Sequence, residues 1–341
     1  MCIRDRCPAL GISIPVGKDS LSMRTQWKDA DGAARKVTAP VSLIVSAFVT
    51  LADVRGTLTP QLEAESDTTL ILVDLGAGQH RMAGSVLAQA LGQEGTDVPD
   101  LDDPQDLVHL VDAVNALRAQ GKLLAYHDRS DGGLLAAVAE MAFAGHVGVA
   151  LNVDMLITEG DGISDSRMET GDSKNWAQQV SGRREELTLK ALFCEELGAV
   201  LQVRTEERDA VLRTLREHGL GRLTHVVGKT RPAASAIDAG KGQLQVWRDA
   251  KTVFSAELAD LHQVWDSVSW KINQQRDNPA CADSEHALAG DPTDPGLHVA
   301  LSFDPAEDVA APFLNLARPR VAILREQGVN SHVEMLSLIH I

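Results

Sequence analysis

The sequence predicts a mixed α+β fold, α/β in character, built on aliphatic strands. Three observations predict it. Hydrophobic residues make up 44% of the 341 residues but aromatics only 4%, so a sizeable core must be aliphatic and alanine-rich. β-branched apolar runs without helical period alternate with segments whose apolar residues recur at helical spacing. The apolar segment Leu123-Leu124-Ala125-Tyr126 runs straight into His127-Asp128-Arg129-Ser130-Asp131-Gly132-Gly133, and an apolar helix follows. The length suits about two domains at ~150 residues each.

The elements follow in chain order. Ile12–Ser22 reads as a strand end and a polar loop. Val41–Val49 is a nearly continuous apolar run and predicts a strand buried on both faces. Leu70–Leu75 predicts a second such strand, broken by Gly76-Ala77-Gly78. Met82–Leu91 and Leu107–Leu117 carry helical spacing, with acidic groups ahead of the second. Leu123–Tyr126 predicts a strand, Gly133–Ala144 a helix and Val147–Val153 a strand. Thr158–Gly182 is rich in Gly, Asp and Ser and predicts a surface insertion. Leu187–Phe193 predicts helix, Val200–Val203 strand, Glu206–His218 an amphipathic helix closed by Gly219, and Leu223–Val227 strand. Leu244–Trp247 and Thr252–Phe254 predict a hairpin, and Leu258–Ile272 the last long helix. From Asn278 to about Ala317, Asp, Pro and Ala predict a linker. Val321–Leu324 predicts the opening strand of a further α/β domain.

The formal net charge of −16 argues against non-specific binding to nucleic acid or anionic membranes. The low aromatic content argues against a base-stacking platform. The four cysteines, Cys2, Cys7, Cys194 and Cys281, show no zinc spacing and no CxxC, and predict reduced thiols of a cytoplasmic protein. No apolar run approaches the ~20 residues needed to span a bilayer, and no secretory signal opens the chain. Met1–Arg6 and Leu336–Ile341 fit no element beside them. They read as foreign sequence, and the chain is expected to be an internal piece of a longer one.

The His127–Gly133 turn carries the chemistry. Asp128 and Ser130 alternate after a strand, so both can face one ligand. A carboxylate suits Mg²⁺, which keeps waters and bridges to phosphates, and a hydroxyl can bond a phosphate oxygen. Helix capping by Asp or Ser ahead of Gly-Gly-Leu explains the same residues equally well. His127 is a general base or a structural strand-end histidine. Gly17-Lys18-Asp19-Ser20 can approach a phosphate with backbone, a point charge and a polar contact, or can be an ordinary polar turn. Glu195-Glu196 is a paired-carboxylate site or, more simply, a solvated pair of helix-terminal acids. Arg325-Glu326-Gln327-Gly328 follows an apolar strand without a nucleophile. There is no GxGxxG, no P-loop and no defensible Ser-His-Asp or Cys-His arrangement, so no catalytic residue is assigned.

Pro15–Met23, Leu58-Thr59-Pro60-Gln61-Leu62, Ala125–Leu134, Ala139–His146, Glu195–Val200, Arg276-Asp277-Asn278-Pro279 and Val321–Met335 together resemble the phosphoribosylformylglycinamidine synthase family, of the large single-chain bacterial type. The resemblance implies a PurM-like C-type synthetase domain with the tail of an N-type domain and the first strand of a class I glutaminase domain. It implies an ATP-dependent ligase of purine biosynthesis, with formylglycinamide ribonucleotide and glutamine as further substrates and ATP and Mg²⁺ as cofactors. It places Asp128 at a magnesium ligand, Ser130 at an ATP contact, and Lys18, Asp19 and Ser20 in a phosphate-binding loop. The glutaminase nucleophile and further metal ligands are outside this chain, which is expected to be inactive alone, and the parent is expected to be a monomer without nucleic-acid or membrane partners. The implied domains are 7–51 (N-type end), 52–275 (C-type, insertion about 158–182), 276–317 (linker) and 318–335 (glutaminase start), between the foreign ends 1–6 and 336–341. Two alternatives share the fold. One is a non-catalytic nucleotide-binding scaffold within that enzyme. The other is a different PurM-like ATP enzyme, such as aminoimidazole ribonucleotide synthetase, selenophosphate synthetase or thiamine-phosphate kinase.

Overall fold

The computed structural model describes residues 11–12, 23–39, 44–51, 53–64, 67–93, 95–158, 173–231, 242–294, 296–297, 299–313, 315–316, 320, 322–325 and 331–340. The chain divides into two units, Met1–Asp294 and Pro295–Ile341.

The first unit opens with a two-stranded antiparallel hairpin, β1 (Arg24–Lys28) and β2 (Ala34–Thr38). It turns at Asp29, whose carboxylate accepts from the N–H groups of Asp31 and Ala33. All ten strand residues are exposed, so no period-two alternation marked these strands in the sequence.

Seven further strands form one sheet: β3 (Thr68–Asp74), β4 (Ala125–Asp128), β5 (Gly148–Asn152), β6 (Gly198–Arg204), β7 (Thr224–Arg231), β8 (Gln243–Arg248) and β9 (Lys251–Glu257). Their spatial order is β4-β6-β3-β7-β5-β8-β9. Every neighbouring pair is antiparallel except β5–β8, which is parallel. The predicted mixed α+β fold is the one observed.

β3 shows why an apolar run without period becomes a central strand. Leu70 and Leu72 point to one face, where they meet α3 (Gly133–Gly145) and α5 (Ser173–Phe193) through Leu134, Val138, Met141 and Ala191. Ile71 and Val73 point to the other, against α2 (Pro104–Ala119) and α6 (Arg208–Glu217), where Leu110, Ala113, Leu117, Val211 and Leu215 pack. Covering both faces of a sheet removes any reason for alternation. α2 begins where the sequence signals it. Asp103 accepts from Gln105 N–H and Pro104 takes the first helical position. The β8–β9 turn places Asp249 and Ala250 both at positive φ, as a tight two-residue hairpin connection requires.

Several expectations need correcting. Residues 44–49 of the Val41–Val49 run form no strand, and Ile44 and Phe48 are 90% and 94% exposed. Strand formation needs a hydrogen-bonding neighbour, and no described segment pairs with this one. Of Met82–Leu91, only α1 (Val86–Ala90) is helical, because Gly84 takes a positive φ and Ser85 caps the start. The segment Thr158–Gly182 is not wholly irregular. α4 (Asp154–Thr158) precedes it, and α5 begins at Ser173, drawing on the helix formers of the Arg183–Lys190 run. The stretch from Asn278 is not all linker. α7 (Leu258–Arg276) is followed by α8 (Pro279–Ala289), whose N-cap Asn278 accepts from Ala280 N–H. α8 is fixed to α7 by Trp270 stacked on His286 at 4.2 Å and by the Trp270 indole donating to Asp283 at 2.9 Å. These contacts join residues in different helices and left no local signal.

In the second unit, residues 322–325 form no strand and Leu324 is exposed. The regular helix there is α9 (His332–His340), which runs through residues from 336 onward. The Ile12–Ser22 loop, with Lys18, Asp19 and Ser20, lies outside the described residues from Ser13 to Ser22, as do residues 326–330.

Candidate functional site

β4 is the edge strand beside β6, and its alternation divides the polar turn between two faces of the sheet. Tyr126 and Asp128 face α2, while His127 faces α3. The Tyr126 hydroxyl donates to Asp128 Oδ1 at 2.5 Å. Burial and that bond hold the Tyr126 phenol well above its ordinary pKa. Tyr126 and Asp128 form one rim of a cavity of about 360 Å³. Leu110 and Val114 of α2 wall it, and Leu75 and Leu197 line it further.

His127 does not reach this cavity. Its Nδ1 lies 2.6 Å from Asp128 O and its Nε2 2.9 Å from Glu140 Oε2 on α3. Glu140 in turn accepts from the Trp265 indole of α7 at 3.0 Å. Both ring nitrogens of His127 are thus engaged within the protein.

Ser130 and Asp131 are exposed, and neither caps α3. The N-cap is Gly132 (φ 81°), without any side-chain cap bond. Helix capping thus does not explain Asp128, Ser130 or Asp131. Gly133 (φ 70°) is required by close approach as well as by conformation. A Cβ there would lie 2.7 Å from the carbonyl oxygens of Leu192 and Cys194.

Behind the turn lies a buried ionic network. Arg129, next to exposed Asp128, is itself buried and pairs with Asp74. It also donates to the carbonyls of Glu196 at 2.6 Å and Leu197 at 3.1 Å. Burial raises the Asp74 pKa, but the Arg129 charge, its hydrogen bond and the Gly78 N–H outweigh it and leave the carboxyl below its ordinary value. Glu196 is fully buried and accepts from Arg81 Nε at 2.7 Å and its second guanidinium nitrogen at 2.8 Å. Those bonds, with Asp102, raise the Arg81 pKa despite burial. Glu196 is thus no solvated helix-terminal acid. Its counter-ion arrives from a segment remote in sequence, which no local pattern announces. Glu195 turns the other way, accepting from the N–H groups of Gly132 at 2.9 Å and Val86 at 2.8 Å. The two acids form no paired site.

Cys194 Sγ lies 3.8 Å from His80 Nδ1 in the buried region behind the turn. Burial pushes the thiol up and the imidazole down from their ordinary values. Among the described residues no three His, Cys, Asp or Glu side chains come together as a metal cluster. A lone exposed carboxylate still fits Mg²⁺, which is commonly held by one or two carboxylates together with waters and phosphates. No helix of the described residues is long and apolar enough to cross a membrane.

Two family models match the chain. The family model described as AIR synthase related protein, C-terminal domain, matches residues 67–237, half of the chain. The chain belongs to this family. A second model, the FGAR-AT PurM_N-like domain, matches residues 2–50. Among solved structures, T. maritima PurL complexed with FGAR is 12% identical with a TM-score of 0.43, covering 76% of this chain and 36% of that one. T. maritima PurL complexed with ATP is 13% identical with a TM-score of 0.40, covering 66% and 28%. E. coli HypE is 20% identical with a TM-score of 0.36, covering 59% and 52%. The chain therefore spans about a third or less of the PurL structures.

Proposed function

We propose that this chain is the nucleotide-binding part of an ATP-dependent ligase of the phosphoribosylformylglycinamidine synthase kind. The parent enzyme would join ammonia from glutamine to formylglycinamide ribonucleotide, with ATP activating the formamide oxygen. The observation that carries the reading is the solvent-facing Asp128 carboxylate. It stands at the mouth of a cavity, held by Tyr126 through one oxygen, and such a carboxylate suits an Mg²⁺ that bridges to phosphates.

In this reading Asp128 holds Mg²⁺, Ser130 contacts the nucleotide, and Lys18, Asp19 and Ser20 contribute to a phosphate loop. The metal, when bound, would neutralise phosphate charge. Tyr126 fixes the carboxylate by donating to Oδ1 and leaves Oδ2 for the cation. Glu195 holds the Gly132 N–H and so sets the start of the helix. His127 anchors the strand end to α3 rather than moving a proton. The chain alone binds nucleotide and does not turn it over.

Calorimetric titration of the 341-residue chain with Mg·ATP tests this. Asp128→Asn should weaken binding by roughly tenfold or more. Equal affinity in the variant and the unaltered chain would remove Asp128 from the site.

A further inference from the structure

Asp128 is held from both faces of the sheet, and only one of those faces carries the cavity. On the cavity face the Tyr126 hydroxyl bonds the carboxylate. On the opposite face a line of side chains runs away from the cavity. His127 Nδ1 lies 2.6 Å from the Asp128 carbonyl oxygen, which can only accept, so this nitrogen donates. His127 Nε2 lies 2.9 Å from Oε2 of Glu140 on α3. The other Glu140 oxygen, Oε1, accepts from the Trp265 indole of α7 at 3.0 Å. The Trp265 ring in turn stands edge-on to Phe143 of α3, with centroids 6.3 Å apart. The Asp128 carbonyl needs such support. β4 has only four residues and lies at the edge of the sheet. Tyr126 N–H points away from β6, to Thr59 O, and alternation sends the Asp128 carbonyl the same way, off the ladder.

We propose that Glu140 and Trp265 are positioning residues for the Asp128 site, acting through His127 on the Asp128 main chain. The inference rests on the Asp128 reading above and extends it to side chains on the far face of the sheet, which touch no ligand. A group that holds a metal binds it more tightly when its own partners fix it beforehand, because less ordering is left to the moment of binding.

Calorimetric titration of the full 341-residue chain with Mg·ATP reads the effect. Glu140→Ala should weaken binding by roughly tenfold. Glu140→Gln should restore it, because the amide oxygen can still accept from Trp265 while the amide N–H turns to His127 Nε2. His127→Ala should cost as much as Glu140→Ala. The two together should cost no more than either alone, since the side chains act as one unit. Trp265→Phe keeps a ring against Phe143 and removes only the indole N–H. It should weaken binding by at least about threefold, and it decides the question if Glu140→Ala fails to fold. Full affinity in Glu140→Ala or Trp265→Phe, a loss that glutamine does not recover, or additive losses in the double variant would overturn the relay while leaving Asp128 in place. Mg·ATP affinity that ignores Asp128→Asn overturns the Asp128 reading and this inference with it.

Discussion

Asp128 and Arg129 are adjacent in the chain and belong to opposite regimes. Asp128 is exposed, bonded through one oxygen to Tyr126, and faces an open cavity. Arg129 is buried and makes contacts to Asp74, Glu196 and Leu197. The strand sends successive residues to opposite sides, and the environment on each side sets what a charge can do. A charge facing solvent can meet a ligand at little cost to folding. A charge facing the core must be matched within the protein, and removing its partner leaves an uncompensated ion.

The largest expected effect tests the buried side. Arg129→Met strands the Asp74 carboxylate and should cost about 3–5 kcal/mol in urea unfolding. Adding Asp74→Asn should recover part of that loss, because the amide no longer needs a counter-ion and its single oxygen can still accept from either the Gly76 or the Gly78 N–H. A double variant no more stable than the single one would show that the pair is not energetically coupled.

Gly133→Ala should come next, at about 2 kcal/mol or more, because the new methyl meets two backbone carbonyls that cannot yield easily. Should circular dichroism melts show no loss, α3 does not start where the geometry sets it.

A smaller effect appears with pH. The folded-state pKa of His80 lies below its ordinary value of 6.5, because burial disfavours the imidazolium. Between those two values the unfolded chain holds a proton that the folded chain does not. The His80 contribution is therefore complete above about pH 6.5 and shrinks as the pH falls toward the folded-state pKa. Asp74 acts lower on the scale. Its contribution is present above its ordinary 3.8 and is lost as the pH falls through its depressed folded value. His80→Asn, which tolerates the positive φ of that position, should flatten the dependence of the urea midpoint between pH 7 and 5.5. An unchanged slope would place the titrating group elsewhere.

The smallest effect on stability belongs to the exposed side. Asp128→Asn should leave the unfolding free energy within about 0.5 kcal/mol while weakening Mg·ATP binding by roughly tenfold or more. A large stability loss would place Asp128 with the buried network instead.

Much of the sheet was legible because local pattern and burial coincide there. Leu70–Leu75 and Val147–Val153 read as strands, and Leu258–Ile272 as a helix, close to where the structure has them. The Val41–Val49 run carries the same apolar, β-branched signature as β3 yet stays unpaired over residues 44–49. The difference lies in the neighbours. β3 has β6 and β7 beside it and helices over both faces, whereas no described strand pairs with the earlier run. Of the candidate site, Asp128, Ser130 and the glycine turn were legible. The Arg81–Glu196 and Arg129–Asp74 pairs were not, since their members stand 115 and 55 residues apart.

By itself the sequence determined the succession of main-sheet strands β3 to β9, the aliphatic character of the core, and the position of a polar turn between a strand and a glycine-led helix. These follow from periodicity, composition and backbone freedom, all properties of short stretches. Only the tertiary structure decided that Asp128 faces a cavity while Arg129 faces the core, that Glu196 is buried against Arg81, and that His127 meets Glu140. Each of those outcomes depends on which distant group lies opposite, because a buried charge is tolerated only where the fold supplies its partner.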